Sequence, residues 1–92
     1  MLIRNLRTLD IDDLIILRCF GLGFKNLSKL GPELGLSQPA LSQRIKKMEL
    51  AFGGKIVERD GRGIGLTHFG EELTARAQIA LDALKIEETN DA

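Results

Sequence analysis

Ser37-Gln38-Pro39-Ala40-Leu41-Ser42-Gln43-Arg44-Ile45-Lys46-Lys47-Met48-Glu49-Leu50-Ala51-Phe52-Gly53-Gly54 is the stretch of this chain with the clearest local signal. Ser37 is a favoured N-cap, because its hydroxyl oxygen can accept from a first-turn N–H that has no intrahelical partner. Pro39 is tolerated there for the same reason. Leu41, Ile45, Met48 and Phe52 recur at helical spacing and form one apolar stripe. The opposite face carries Gln38, Ser42, Gln43, Lys46 and Lys47. Gly53-Gly54 ends the helix.

Upstream, Asn26 is a good N-cap for a helix with Leu27, Leu30 and Leu34 on one side. Pro32 falls inside it, where a missing N–H and a clash with the preceding turn cost ~3 kcal/mol. This helix is therefore either kinked at Gly31-Pro32 or restarted with Pro32 in its first turn, and the reading adopted is a distorted helix. Gly35 permits the tight turn into Ser37. Before it, Thr8 or Asp10 caps a first helix in which Leu9, Asp13, Ile16 and Phe20 share a side. Leu14, Leu17 and Cys19 widen its apolar surface, and Gly21 and Gly23 break it.

Downstream, Lys55-Ile56-Val57-Glu58 reads as a strand, and Arg62 to Leu66 can pair back on it across Asp60-Gly61, a favoured hairpin turn. Thr67 caps a fourth helix, with Glu71 and Glu72 near its positive end. Along that helix Leu73, Ala77, Ala80, Leu81 and Leu84 make an apolar stripe spaced like a helix-pairing seam. The residues after Lys85 are acidic and are expected to fray.

The chain has 92 residues, 43% hydrophobic and 28% charged, enough for one small soluble domain and too short for a second ordinary core. Its longest apolar run, Leu14-Ile15-Ile16-Leu17, falls far short of the ~20 residues of a membrane span. Arg4 and Arg7 lead into Asp10, Asp12 and Asp13 rather than into a signal-peptide apolar region. One cysteine allows no internal disulfide, which suits a reducing compartment. The net charge is zero, yet eight basic residues stand against four acidic ones between Lys25 and Arg62. That basic middle fits either a polyanion footprint or an ordinary mixed-charge surface.

Helix, tight turn, helix with a polar outer face, then a two-stranded hairpin is the order of a winged helix-turn-helix. A helix fits the major groove, where Gln38, Ser42 and Gln43 can meet base edges while Arg44, Lys46 and Lys47 neutralise phosphates. The run Ser37-Gln38-Pro39-Ala40-Leu41-Ser42 continues with Ile45, Met48-Glu49, Phe52-Gly53, Ile56-Val57, Arg59, Arg62, Leu66-Thr67 and Gly70. In this order and spacing it resembles the N-terminal DNA-binding domain of the LysR-type transcriptional regulators.

The resemblance runs from about Leu6 to Leu84 and does not extend to that family's large effector-binding domain. It implies a mainly α fold: a three-helix core plus a two-stranded wing over 1–66, a dimerisation helix over 67–87, and an acidic tail over 88–92. It places Gln38, Pro39, Ser42, Gln43 and Lys46 toward the groove, Asn26 near the DNA backbone, and Arg62 on the wing. Ser37 and Lys47 complete the expected DNA-binding set, with Ser37 also the cap. The seam Leu73, Ala77, Ala80, Leu81 and Leu84 maps onto dimerisation. The sequence departs from the family at Leu30-Gly31, where a small pair is usual, and at Gly63 and Gly65, where basic residues are common.

Other motifs are read as structural. Cys19 on an apolar helix is expected to be a buried inert thiol rather than a redox switch. His68 is expected to be a first-turn surface residue. Arg59 either ion-pairs with a nearby carboxylate or contacts phosphate. The run Gly61-Arg62-Gly63-Ile64-Gly65 lacks the Lys-Ser/Thr ending of a phosphate loop. One His and one Cys make no structural zinc site, and no nucleophile–base pair is visible, so no metal, cofactor or enzymatic activity is expected. The expected partners are double-stranded DNA and a second copy of the chain, in the cytoplasm and on the nucleoid. The competing reading is a compact co-regulator that acts by pairing with a larger regulator protein.

Overall fold

The computed structural model describes residues 9–85. Thr8, Leu6 and the acidic tail after Lys85 lie outside the described residues. The order of elements is α1 (Ile11–Gly21), α2 (Leu27–Leu34), α3 (Gln38–Phe52), β1 (Val57–Asp60), β2 (Gly63–Leu66) and α4 (His68–Ala83). Mainly helical with a two-stranded wing, it is the winged helix-turn-helix that the sequence implies.

Local chemistry starts each helix. Asp10 caps α1 in a reciprocal box: its carboxylate accepts from the Asp13 N–H, and the Asp13 carboxylate accepts from the Asp10 N–H, both at 3.1 Å. Asn26, Ser37 and Thr67 cap α2, α3 and α4 by accepting from Ser28, Ala40 and Gly70 N–H groups. The α2–α3 turn closes through Gly35 at φ +69°, with the Leu36 N–H donating to the Gly31 carbonyl at 2.8 Å. A Cβ on Gly31 would lie 2.6 Å from the Leu36 carbonyl oxygen, which accounts for glycine there.

Helix α2 runs unbroken through Pro32. It is not split, because Pro32 denies a donor only to the carbonyl of Ser28, an exposed residue, and so costs the helix a single bond. The core gathers Ile16, Leu17 and Phe20 of α1, Leu30 of α2, Leu41, Ile45 and Met48 of α3, Ile56, and Leu73 and Ala77 of α4. Cys19 is 6% exposed, the buried thiol its surroundings foretell.

The hairpin differs from expectation by one residue. Val57 pairs with Leu66 and Asp60 with Gly63, so the loop is Gly61-Arg62 rather than Asp60-Gly61. Gly61 has φ +62°, the conformation glycine supplies at the first loop position of a tight hairpin turn. Ile56 lies outside the strand because its N–H is turned away from the ladder to Glu49, while its carbonyl extends the pairing by one step to Thr67. Its N–H donates to Glu49 Oε2 at 2.8 Å, and its carbonyl accepts from the Thr67 N–H at 3.0 Å. The wing closes onto the loop before α2, where the Ile64 N–H donates to the Lys25 carbonyl at 2.8 Å. A Cβ on Gly63 would stand 2.5 Å from that oxygen, so the small residue at this wing position is a packing requirement.

Candidate nucleic-acid interface

Burying Leu41, Ile45 and Met48 turns the far side of α3 outward. Gln38, Pro39, Gln43 and Lys46 are exposed there, and Ser42 is half-buried beside them. Ser37 sits at the head of the helix with its Oγ 3.2 Å from the Ala40 nitrogen. Its lone pairs can serve the cap while its hydroxyl hydrogen points elsewhere.

The wing and the start of α2 flank this face. Lys25, Asn26, Gln38, Arg59 and Arg62 share a surface hollow of about 270 Å³. Asn26 Oδ1 is occupied by the Ser28 N–H and hydroxyl, at 2.9 and 2.6 Å, which leaves its amide hydrogens for an acceptor. Lys25, Arg59 and Arg62 are exposed. Among the described residues no carboxylate stands within ion-pair distance of them. The ion-pair alternative for Arg59 is therefore not realised there. Lys25 joins the hollow without having been singled out from the sequence, although a lysine directly before the Asn26 cap is the signal that could have found it. A helix start with three cations around it is chemically a site for an anion such as phosphate.

Arg44 and Lys47 do not join this surface. They occupy the flank of α3 that meets the head of α1. Arg44 Nη1 lies 3.1 Å from Asp10 Oδ1 and 3.2 Å from Asp13 Oδ1, and Lys47 Nζ lies 3.0 Å from Asp13 Oδ2. The sequence reading gave both cations to phosphate, whereas the fold gives them intramolecular carboxylates.

Burial alone would raise the Asp10 carboxyl, but the Asp13 N–H and the Arg44 guanidinium outweigh it and hold the group below its ordinary 3.8. A depressed carboxylate contributes stability above its unfolded value and loses it as pH falls through the folded one. The melting temperature is thus expected to fall as pH drops below about 4. Asp10→Asn, which keeps the capping oxygen but does not titrate, should show a shallower fall in parallel melts.

The fourth helix corrects the seam. Leu73, Ala77 and Leu81 are 7%, 3% and 0% exposed within a single chain, and α1 and α4 pack extensively. They keep little surface for a second copy. Of the five expected seam residues, Ala80 is half-buried and Leu84 is exposed. The outward apolar row is instead Ile79, Ala80, Ala83 and Leu84, with Ile79 68% exposed. Ile79 was missed because two apolar stripes run along α4, and only packing tells which is interior. His68 is a surface residue as expected, with Nε2 2.9 Å from Glu72 Oε1.

A family model described as "Bacterial regulatory helix-turn-helix protein, lysR family" matches residues 25–71. The HTH-type transcriptional regulator DgdR of Burkholderia cepacia is 39% identical over 77 residues, covering 82% of this chain and 25% of its own length. A full-length OxyR structure from Pseudomonas aeruginosa matches with a TM-score of 0.72 and 27% identity, over 84% of this chain and 26% of that one. CbnR, solved in complex with its target DNA, matches in fold with a TM-score of 0.71 and 24% identity, over 84% of this chain and 26% of that one. The chain spans about a quarter of the length of the curated relatives it matches. Those relatives are transcriptional regulators rather than enzymes.

Proposed function

The chain belongs to the lysR family of bacterial regulatory helix-turn-helix proteins, and on that premise we propose that it is a sequence-specific DNA-binding regulator, cytoplasmic and nucleoid-bound, that lays α3 in the major groove as a homodimer. The observation that carries this reading is that Gln38, at the head of the helix whose outward side also bears exposed Gln43 and Lys46, lines the cationic hollow of Lys25, Arg59 and Arg62. Gln43 and Ser42 read base edges, and Gln38 and Pro39 lie at the head of the helix where it enters the groove. Lys46, Arg62, Lys25 and the amide of Asn26 hold phosphates and fix the register.

Two copies would place two recognition helices on one duplex, giving a twofold site. The outer row of α4, with Ile79, Ala80 and Leu84, is the surface for that pairing. Sedimentation should find a dimer in the parent, and a parent that stays monomeric at high micromolar concentration would remove this part of the proposal.

The reader assignment is tested on a site selected from a random duplex library. Gln43→Ala removes an exposed side chain, so stability should move by no more than ~0.5 kcal/mol. Discrimination at one base pair should fall by about 1–3 kcal/mol. Lys46→Ala should instead weaken all duplexes alike and flatten the salt dependence by about 0.9 in the slope of log K. A Gln43→Ala protein that discriminates sites as the parent does is not missing its reader, and the assignment would fall.

A further inference from the structure

The carboxylates at the head of α1 do more than cap it. Helix α3 carries three cations, Arg44, Lys46 and Lys47. Lys46 points outward with no carboxylate within ion-pair distance among the described residues. The other two share Asp13, one oxygen each, at 3.2 Å for Arg44 and 3.0 Å for Lys47. Asp10 adds bonds of 3.1 and 3.3 Å to Arg44 Nη1. Asp13 is 1% exposed, and a buried carboxylate resists losing its cations because it would be left charged and unpaired. Both cations are therefore held by the packing of α1 on α3, through contacts more than thirty residues apart in sequence.

Phosphate contacts supply affinity for any sequence, and base contacts supply the preference for one. A cation already neutralised by a fixed carboxylate releases no counterion from a duplex. We propose that Asp10 and Asp13 are specificity-determining residues, which withhold Arg44 and Lys47 from the phosphate backbone and so keep binding to random DNA weak beside binding to the cognate site. This rests on the DNA-binding reading above.

The test measures binding of the full chain to a duplex of random sequence across a salt series. In the parent background Arg44→Gln removes a cation that makes no phosphate contact, so the slope of log K against log salt should not change. A slope flatter by about 0.9 would show that Arg44 contacts phosphate, and would overturn the proposal. Asp13→Asn should act in the other direction, steepening the slope by up to about 0.9 as Lys47 loses its carboxylate while Arg44 keeps Asp10. Asp10→Asn leaves Arg44 on Asp13 alone, so it should steepen the slope by less than about 0.9, with the α1 cap retained, and it carries this arm if Asp13→Asn does not fold. Asp12→Asn removes the same charge from the same turn, but Asp12 is only 3.9 Å from Arg44 and 69% exposed. It should leave the slope at the parent value, and equal steepening by Asp12→Asn would reduce the effect to net charge and overturn the proposal. A parent that binds no duplex overturns the DNA-binding reading and this inference together. A parent that binds with unaltered slopes in both Asp10→Asn and Asp13→Asn overturns this inference alone.

Discussion

Leu81→Asp is expected to unfold the domain rather than to separate two folded copies of it. Leu81 is 0% exposed within one chain, so the substitution removes a filled core position and installs a carboxyl group there. Truncating a buried leucine costs about 2–5 kcal/mol through lost transfer energy and the cavity left behind. An unpaired carboxyl adds desolvation, or takes up a proton to avoid it. Against a total stability of ~5–15 kcal/mol for a domain, that combination is enough to empty the native state. Circular dichroism should show lost helix at ordinary temperature. Leu84→Asp is the comparison, because Leu84, the C-cap of the same helix, is 58% exposed. It should keep its helix and its cooperative melt while lowering the sedimentation coefficient if the outer row pairs two chains. A Leu81→Asp protein that remains helical and cooperative would show that Leu81 is not a core residue.

Gly70→Ala is the second substitution with a large expected effect. An added Cβ would stand 2.1 Å from the Ile56 carbonyl oxygen, and that oxygen is held by the Thr67 N–H at 3.0 Å. Neither backbone can move without losing the bond that starts α4 against the strand. Alanine would ordinarily favour a helix over glycine by about 1 kcal/mol, so the sign of the result decides between propensity and packing. Overpacking against fixed backbone typically costs 1–3 kcal/mol and sometimes more, and here it should win, lowering the melting temperature by several degrees or more. Gly21→Ala gives the opposite case within the same fold. Its Cβ would meet only the Thr74 side chain, at 3.7 and 3.9 Å, ordinary contacts, so that variant should melt at or above the parent. If both variants gain stability, the tight approach of α4 to Ile56 is not present in solution.

What the sequence determines by itself is whatever depends on neighbours a few residues away. Asn26, Ser37 and Thr67 start their helices as read, and Asp10, one of two candidates, starts the first, because a cap is a bond between a side chain and an N–H two or three residues on. The stripe Leu41, Ile45 and Met48 is interior as read, because α3 has one apolar face and leaves no choice about which side to bury. The polar face with Gln38, Gln43 and Lys46 follows from that, and so does the surface proposed to meet DNA.

Tertiary structure decided what the chain offers twice. Helix α4 has two apolar rows, and only the packing of α1 against it makes Leu73, Ala77 and Leu81 core and leaves Ile79 and Leu84 outside. The hairpin could close at Asp60-Gly61 or at Gly61-Arg62. The second register prevails, with the Ile56 N–H turned to Glu49 at its end. Arg44 and Lys47 could face phosphate or carboxylate, and they face Asp10 and Asp13 because α1 brings those acids across more than thirty residues of chain. Each of these outcomes depends on which distant group the packing brings within reach, and helical period and capping chemistry are blind to that distance.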